Sequence, residues 1–170
     1  VSGKWRNDDS LGWGNGKALR LTRNSPENPD GNRTPDSEGV TKAEWADDVI
    51  YVVSEKMQRP ESGARQSILR YETNTGDLIL YPTHEWNVTG TVPKVSSNTG
   101  FEALTWVPDR FLVKHGFRDW RGKPYNPADY PYHGSGLFFA GLEDNARIYV
   151  YALNHNDDTV FDLVVAFDSG

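Results

Sequence analysis

Apolar residues fall along the first half of the chain in short runs separated by turn residues. Such runs occur at 39–41, 49–53, 67–71 and 78–81. Runs of this length, rich in β-branched and aromatic residues, are typical of strands. The segment 74–77, Asn-Thr-Gly-Asp, tolerates positive φ angles, so we predict that the last two runs form an antiparallel hairpin.

The same pattern starts again after residue 100. Runs at 101–106, 136–140, 147–151 and 161–165 predict a second set of four strands. One additional apolar run, 110–113, predicts an extra strand in this half. The two sets together favour an all-β fold.

Two proline-containing segments predict long loops. The first, 24–37, has almost no apolar residue and follows a short alternating run at 17–22 that predicts another strand. The second, 117–135, is rich in Pro, Tyr, Trp and Gly. A loop of that length is more typical of a functional segment than of a simple connection.

A short motif occurs twice, at equivalent places in the two sets of strands. Residues 37–41 read Ser-Glu-Gly-Val-Thr and residues 101–105 read Phe-Glu-Ala-Leu-Thr, with an offset of 64 residues. Each copy opens a four-strand set. Self-similarity at such a period indicates radially repeated sheets, because one four-stranded meander cannot bury both of its faces alone.

Three segments resemble the inner-strand motifs of phytase-like and esterase-like β-propellers, a group that is also similar to gluconolactonase-type propellers. They are 36–41, 50–55 and 100–106, which read Asp-Ser-Glu-Gly-Val-Thr, Ile-Tyr-Val-Val-Ser-Glu and Gly-Phe-Glu-Ala-Leu-Thr-Trp. The resemblance covers about 34–167. It implies an incomplete ring of about two four-stranded antiparallel blades.

The resemblance also implies a domain organisation. Residues 1–170 form a single partial propeller domain, with an irregular lead-in at 1–33 that holds the end of a preceding blade, then blades at 34–96 and 97–167. A closed propeller has about four to eight blades. We therefore expect missing blades or a further chain to complete the ring.

Glu38 and Glu102 are the candidate metal ligands. The first strand of each blade lines the central channel of a propeller, so the two carboxylates would face one axis, and Ca²⁺ prefers such oxygen ligands. In the gluconolactonase-like propellers a Glu at the matching motif position is a metal ligand, which the resemblance carries over to both residues. Asp36, Asn98 and Asp109 are near enough in sequence to add ligands. Alternatively, each Glu caps backbone amides at a strand entry.

Four basic residues are candidates for contacting an anionic substrate. Lys56 follows the second predicted strand of the first set as a substrate-binding residue. Lys114, His115 and Arg118 follow the run at 110–113 as candidate catalytic residues. Guanidinium and ammonium groups match phosphate or carboxylate oxygens, and His transfers protons near neutral pH. The alternative is an ordinary solvated rim of charges.

The segment 119–134 combines aromatic and hydrogen-bonding side chains, as a sugar-contacting loop does. Trp120 and Tyr125 are its candidate substrate-binding residues, because aromatic faces stack on sugar rings. A loop that packs its own aromatic residues is the structural alternative. His84 and His155 stand alone beside polar residues, and we predict that both are exposed and without a role.

Composition and charge exclude some classes of function. A formal charge of −6 and a pI near 5.2 oppose nucleic-acid binding, which needs clustered Lys and Arg. The absence of Cys excludes disulfides and thiolate metal sites. No run approaches the ~20 apolar residues of a membrane helix, so we expect no membrane partner.

The leading hypothesis is a secreted or periplasmic, metal-assisted hydrolase of esters or phosphoesters. Ca²⁺ bound by Glu38 and Glu102 would polarise the substrate, while Lys114, His115 and Arg118 stabilise developing negative charge. The second hypothesis is a non-catalytic propeller that recognises a glycan, another small ligand or a protein. A jelly-roll carbohydrate module is a third reading that shares the composition.

Overall fold

The computed structural model describes residues 16–25, 28–55, 65–96 and 98–169. Within these ranges the chain forms ten β-strands and one α-helix, and eight of the strands build two four-stranded antiparallel sheets. The prediction of a mostly β protein with antiparallel four-stranded sheets is therefore confirmed.

The first sheet is an antiparallel meander, in which each strand pairs with the strand of the sheet that follows it along the chain. The strands of this half are β1 (Ala18–Leu19), β2 (Ser37–Thr41), β3 (Val49–Ser54), β4 (Ser67–Glu72), β5 (Ile79–Leu80) and β6 (His84–Asn87). The sheet has the order β2-β3-β4-β6, and all three pairings are antiparallel. β1 and β5 form a separate two-residue parallel pair.

The second sheet has the same simple topology. Its strands are β7 (Phe101–Pro108), β8 (Gly136–Leu142), β9 (Arg147–Leu153) and β10 (Phe161–Asp168), in the order β7-β8-β9-β10. One helix, α1 (Asp109–Lys114), follows β7 directly. Across the described residues, no helix combines the length and hydropathy that a membrane-spanning helix needs.

The prediction that 67–71 and 78–81 form a hairpin is wrong. β4 pairs instead with β6, so that Arg70 lies opposite His84, and β5 leaves this sheet to pair with β1. Leu80 is buried with Leu21 and Tyr71 on the outer face of the first sheet. The free energy gained by burying Leu80 outweighs the local preference for a hairpin turn. The residues that bury it, such as Leu21, lie far away in sequence, so the local sequence does not indicate this pairing.

The prediction of a strand at 110–113 is also wrong, because these residues belong to α1. Pro108 precedes the helix, Asp109 lies in its first turn and Lys114 in its last. A negative charge at the start of a helix and a positive charge at its end interact favourably with the helix dipole and stabilise the helix. Only Leu112 of the helix is buried, which is the one-sided burial of a short surface helix. The run therefore covers the sheet instead of extending it.

The main core lies between the two sheets. Its largest fully buried side chains include Tyr51 and Trp86 from the first sheet and Phe138 and Tyr151 from the second. Aromatic contacts cross the boundary, with the ring centroids of Tyr51 and Phe138 4.5 Å apart. The two sheets therefore pack face to face as one apolar unit.

The strands β2 and β7 run side by side in the same direction at the neighbouring edges of the two sheets. The Thr41 hydroxyl accepts a hydrogen bond from the Trp106 amide at 3.2 Å. A Cβ at Gly39 would lie only 2.6 Å from the Leu104 nitrogen, so glycine is required for this close approach. The contact aligns the two copies of the repeated motif in space.

The loops of the molecule separate into two ends. At the first, which we call the acidic end, β2 and β7 begin and β3 ends, and it contains Asp36, Glu38, Glu55, Glu102 and Glu143. At the opposite end, which we call the aromatic end, lie the loops 42–48, 109–135 and 154–160.

Candidate functional site

Three carboxylates of the first sheet meet at the acidic end. Asp36 precedes β2, Glu38 is the second residue of β2, and Glu55 directly follows β3. Ser37 pairs with Ser54 across the hairpin, which brings these side chains together. Each carboxylate offers an oxygen within 4.8 Å of the other two.

This donor set fits Ca²⁺. The ion binds oxygen ligands at about 2.3–2.6 Å, so two ligands of one ion are at most about 5 Å apart. Oxygens of Asp36, Glu38 and Glu55 all lie within 4.8 Å of one another, so their separations fit ligands of one ion. Glu55 is buried, Asp36 half-buried and Glu38 exposed, so one ion could contact all three and remain open to solvent on one side.

Glu55 is fixed by contacts that connect the two sheets. Its Oε2 accepts a hydrogen bond from the Gly100 amide at 2.7 Å. Gln66 donates through Nε2 to the Glu55 carbonyl at 2.9 Å and accepts through Oε1 from the Phe101 amide at 2.9 Å. A Cβ at Gly100 would lie 2.5 Å from the Glu55 Cβ, so the site is built against this glycine.

Glu102, the second residue of β7, lies beside this cluster. The pKa of the Glu102 carboxyl is raised above its ordinary value. Desolvation is the largest cause, and the negative charges of Glu38, Glu55, Glu143 and Asp36 contribute in the same direction. Among the residues that the structure describes, none of these five carboxylates forms an ion pair. The acidic end therefore concentrates uncompensated negative charge.

The sequence predicted that Glu38 and Glu102 would come together, and the contact between β2 and β7 does place them in one acidic neighbourhood. Neither carboxylate accepts a hydrogen bond from the described part of the chain. Within the ranges that the structure describes, the one backbone cap in this cluster is made by Glu55 on the Gly100 amide. Glu55 was not among the predicted ligands, although its position opposite Asp36 in the hairpin could have indicated it.

The predicted catalytic residues Lys114, His115 and Arg118 do not join the acidic cluster. Glu102 and Pro108 are six residues apart on β7, which at about 3.3 Å per residue is about 20 Å. α1 begins beyond Pro108, so all three basic residues follow the distal end of the strand. Lys56, the predicted substrate-binding residue, lies outside the described residues.

Each of these three basic residues has ordinary local surroundings. Lys114 is the exposed last residue of α1. The His115 ring packs on Phe111 with centroids 4.2 Å apart, and Arg118 donates to the Gly122 carbonyl at 2.5 Å.

Asp109, predicted to be near enough to add a metal ligand, lies at the aromatic end. Its carboxylate accepts a hydrogen bond from the Tyr125 hydroxyl at 2.7 Å and contacts His133 Nε2 at 3.1 Å. Tyr125 is buried in the outer core, and burial raises the pKa of its hydroxyl far above the ordinary value. The internal partners of Tyr125 anchor the 117–135 loop, whereas Trp120 is 70% exposed.

His155 is half-buried, so the prediction that it is exposed is wrong. Its ring lies edge-on to Trp45 at 4.7 Å and to Trp86 at 5.3 Å. His155 Nδ1 donates to the Tyr132 carbonyl at 3.1 Å, and Nε2 accepts from the Tyr51 hydroxyl at 3.0 Å. Burial lowers the pKa of His155 to about 4.

His84, the other histidine predicted to be exposed, is partly buried. It stacks on Trp86 at 5.3 Å, and its Nε2 contacts the His155 carbonyl at 3.1 Å. Both histidines thus belong to the boundary between the sheets.

Comparison of the chain with protein-family models, with curated proteins and with solved structures finds no match. The class of the molecule is given by its own fold and site: it is a mostly β protein whose two four-stranded antiparallel sheets meet at an acidic cluster.

Proposed function

We propose that this chain is part of a Ca²⁺-dependent hydrolase of esters or phosphoesters, built as a β-propeller that resembles the phytase-like and esterase-like group. The observation that carries the proposal is the convergence of Asp36, Glu38 and Glu55, with Glu102 beside them. A secreted or periplasmic location suits it, because extracellular Ca²⁺ modules operate at millimolar ion concentrations.

The repeated sheets support the propeller part of the proposal. In it, the two meanders are consecutive blades and β2 and β7 are their inner strands. The strands run in the same direction, and Gly39 contacts Ala103 and Leu104, which is the alignment that the 64-residue repeat requires. Equivalent glutamates are then neighbours around one axis.

The outer face of the first sheet supports the completion of the ring by further blades or a further chain. A groove of about 310 Å³ is lined by residues that include Leu19, Val40, Ile50 and Val52. Val40 is 63% exposed. Apolar side chains open to solvent on a sheet face are suited to packing against another sheet.

The chemistry of the proposed site follows from its charge and exposure. A Ca²⁺ ion there would supply Lewis-acid polarisation of a substrate oxygen. Glu55 is buried and would hold the ion on its inner side, whereas Glu38 and Glu102 are exposed, so a substrate would reach the ion from the side of these two residues. Lys114, His115 and Arg118 are not part of this proposed site, because β7 separates them from it.

The proposal is tested by hydrolysis of p-nitrophenyl phosphate and p-nitrophenyl acetate with Ca²⁺ and with a chelator. We expect the activity to be lost with the chelator and restored by Ca²⁺. Glu38→Gln and Glu102→Gln should each lower turnover at least tenfold, whereas Glu72→Gln, an exposed carboxylate paired with Arg70, is the matched control. Turnover that is equal in all variants would refute the assignment.

A non-catalytic binding module is the second candidate. The observation that favours it is the exposed Trp120, over which the Arg121 guanidinium lies at 5.4 Å. Asp119 holds this loop by accepting from the Arg121 and Lys123 amides at 2.9 and 3.0 Å. Binding of a glycan or protein that Trp120→Ala abolishes, in the absence of any hydrolysis, would favour this candidate.

A further inference from the structure

Two residues with exposed aromatic side chains contact His155 at the aromatic end. Trp45, from the 42–48 loop of the first sheet, is 41% exposed, and Tyr132, from the 109–135 loop of the second, is 64% exposed. The Trp45 ring and the Tyr132 backbone carbonyl both contact His155, which follows β9. Binding sites occur preferentially where structural units meet, and this position lies on the boundary between the two sheets.

The Trp45 ring is fixed in place. It meets His155 edge-on at 4.7 Å and Tyr51 at 6.5 Å. A Cβ at Gly134 would lie 2.7 Å from Trp45 Nε1, so the indole rests directly on the backbone of that glycine. The ring is therefore a preorganised surface, which lowers the entropic cost of binding.

Tyr132 adopts a backbone conformation that is unusual for an aromatic residue. Its φ angle is 62°, in the left-handed region. The conformation is stabilised by two hydrogen bonds to its carbonyl, from the His155 amide at 2.9 Å and from His155 Nδ1 at 3.1 Å. Strained backbone conformations that are held by surrounding hydrogen bonds occur preferentially at ligand-binding sites.

The polar groups of the two residues are unused. Within the described residues, neither the Trp45 indole N–H nor the Tyr132 hydroxyl has a hydrogen-bond partner. We propose that Trp45 and Tyr132 form a binding site for a neutral carbohydrate. The apolar face of a sugar ring would stack on the Trp45 indole, and its hydroxyls would bond to these unused groups.

This site differs from the proposed metal site and from the loop tip at Trp120. It lies at the opposite end from Asp36, Glu38 and Glu55, so it does not depend on the proposed hydrolase function. Phe111 provides a matched control, because it is an aromatic residue of α1 that is 52% exposed and belongs to neither proposed site.

The test is titration of the full chain with cellotetraose, maltotetraose, mannotetraose and chitotetraose, followed by tryptophan fluorescence and saturation-transfer NMR. We expect at least one of them to bind. Trp45→Ala should weaken that binding at least tenfold, Phe111→Ala less than twofold, and a chelator should have no effect. Near-UV circular dichroism checks that the variants remain folded.

Two further variants keep the test informative if Trp45→Ala does not fold. Gly134→Ala should displace the indole and weaken binding, and Tyr132→Ala should weaken it because the hydroxyl that Tyr132 offers to the sugar is lost. Absence of binding to all four sugars would overturn the proposal. It would equally be overturned by binding that Trp120→Ala abolishes and that the Trp45, Tyr132 and Gly134 variants retain.

Discussion

Acid should loosen the boundary between the two sheets through His155. The neutral ring suits its surroundings, because Nδ1 donates to the Tyr132 carbonyl and Nε2 accepts from the Tyr51 hydroxyl. Burial lowers the pKa of His155 from 6.5 to about 4, the bond to Tyr132 acts in the opposite direction, and the positive charges of Arg70, His84 and His133 lower it further.

The size of the effect follows from the difference between the folded and unfolded pKa values. A difference of about 2.5 pH units, at about 1.4 kcal/mol per unit, corresponds to about 3 kcal/mol. The unfolded chain protonates His155 near pH 6.5 and the folded chain only near pH 4. Between these values the unfolded state binds more protons, so the contribution is complete above pH 6.5 and is lost as the pH falls towards 4.

The assay is urea unfolding at pH 7.5 and 4.5, followed by tryptophan fluorescence. Because carboxylates also titrate, the relevant quantity is the difference between the native chain and His155→Gln at each pH. We expect that difference to be about 2.5 kcal/mol smaller at pH 4.5 than at pH 7.5. His115→Gln, at an exposed histidine, controls for removal of an imidazole. An equal pH dependence of the native chain and His155→Gln would refute the reasoning.

Three other substitutions test the packing and the polar network, each by chemical denaturation. Gly39→Ala should destabilise the chain by about 1–3 kcal/mol, because its Cβ would clash with the Leu104 amide, and no change would show that β2 and β7 do not make this contact. Trp86→Ala should cost about 3–5 kcal/mol, because the side chain is fully buried between the sheets, and a loss below about 1 kcal/mol would contradict its burial. Tyr125→Phe should cost about 1.5–3 kcal/mol, because it removes a bond to the Asp109 carboxylate, and a neutral result would contradict that bond.

The strands that the sequence predicted well are those whose own pattern decides their structure. β3, β4, β8 and β9 are short apolar runs rich in β-branched and aromatic residues, and such a run bounded by turn residues is enough to recognise a strand. The duplicated Glu motif similarly predicted that Glu38 and Glu102 are neighbours, because two equivalent strands bring equivalent residues together.

The elements that sequence reasoning missed depend on distant partners. Whether Leu80 or Trp86 belongs to the first sheet is decided by which apolar surface each covers, and local turn residues do not encode this. Phe111 and Val113 look like strand residues because they are apolar, yet both remain exposed on α1. Tertiary context overrides propensity at such positions.

The same distinction applies to the site residues. Glu55 becomes a candidate ligand only through the hairpin register that places it near Asp36. His155 is surrounded by polar neighbours in sequence but by Trp45, Tyr51 and Trp86 in space. Its low pKa is therefore a property of the boundary between the sheets.

The most direct test of the account is isothermal titration of the chain with Ca²⁺ at neutral pH. We expect one ion to bind with a dissociation constant of about 10⁻³ M or tighter. Glu38→Gln should remove or strongly weaken this binding, because Glu38 is exposed and its loss leaves the buried contacts of Glu55 in place, and Glu72→Gln should not change it. Absence of binding heat in the native chain, or equal affinity in Glu38→Gln, would contradict a metal site at the acidic end.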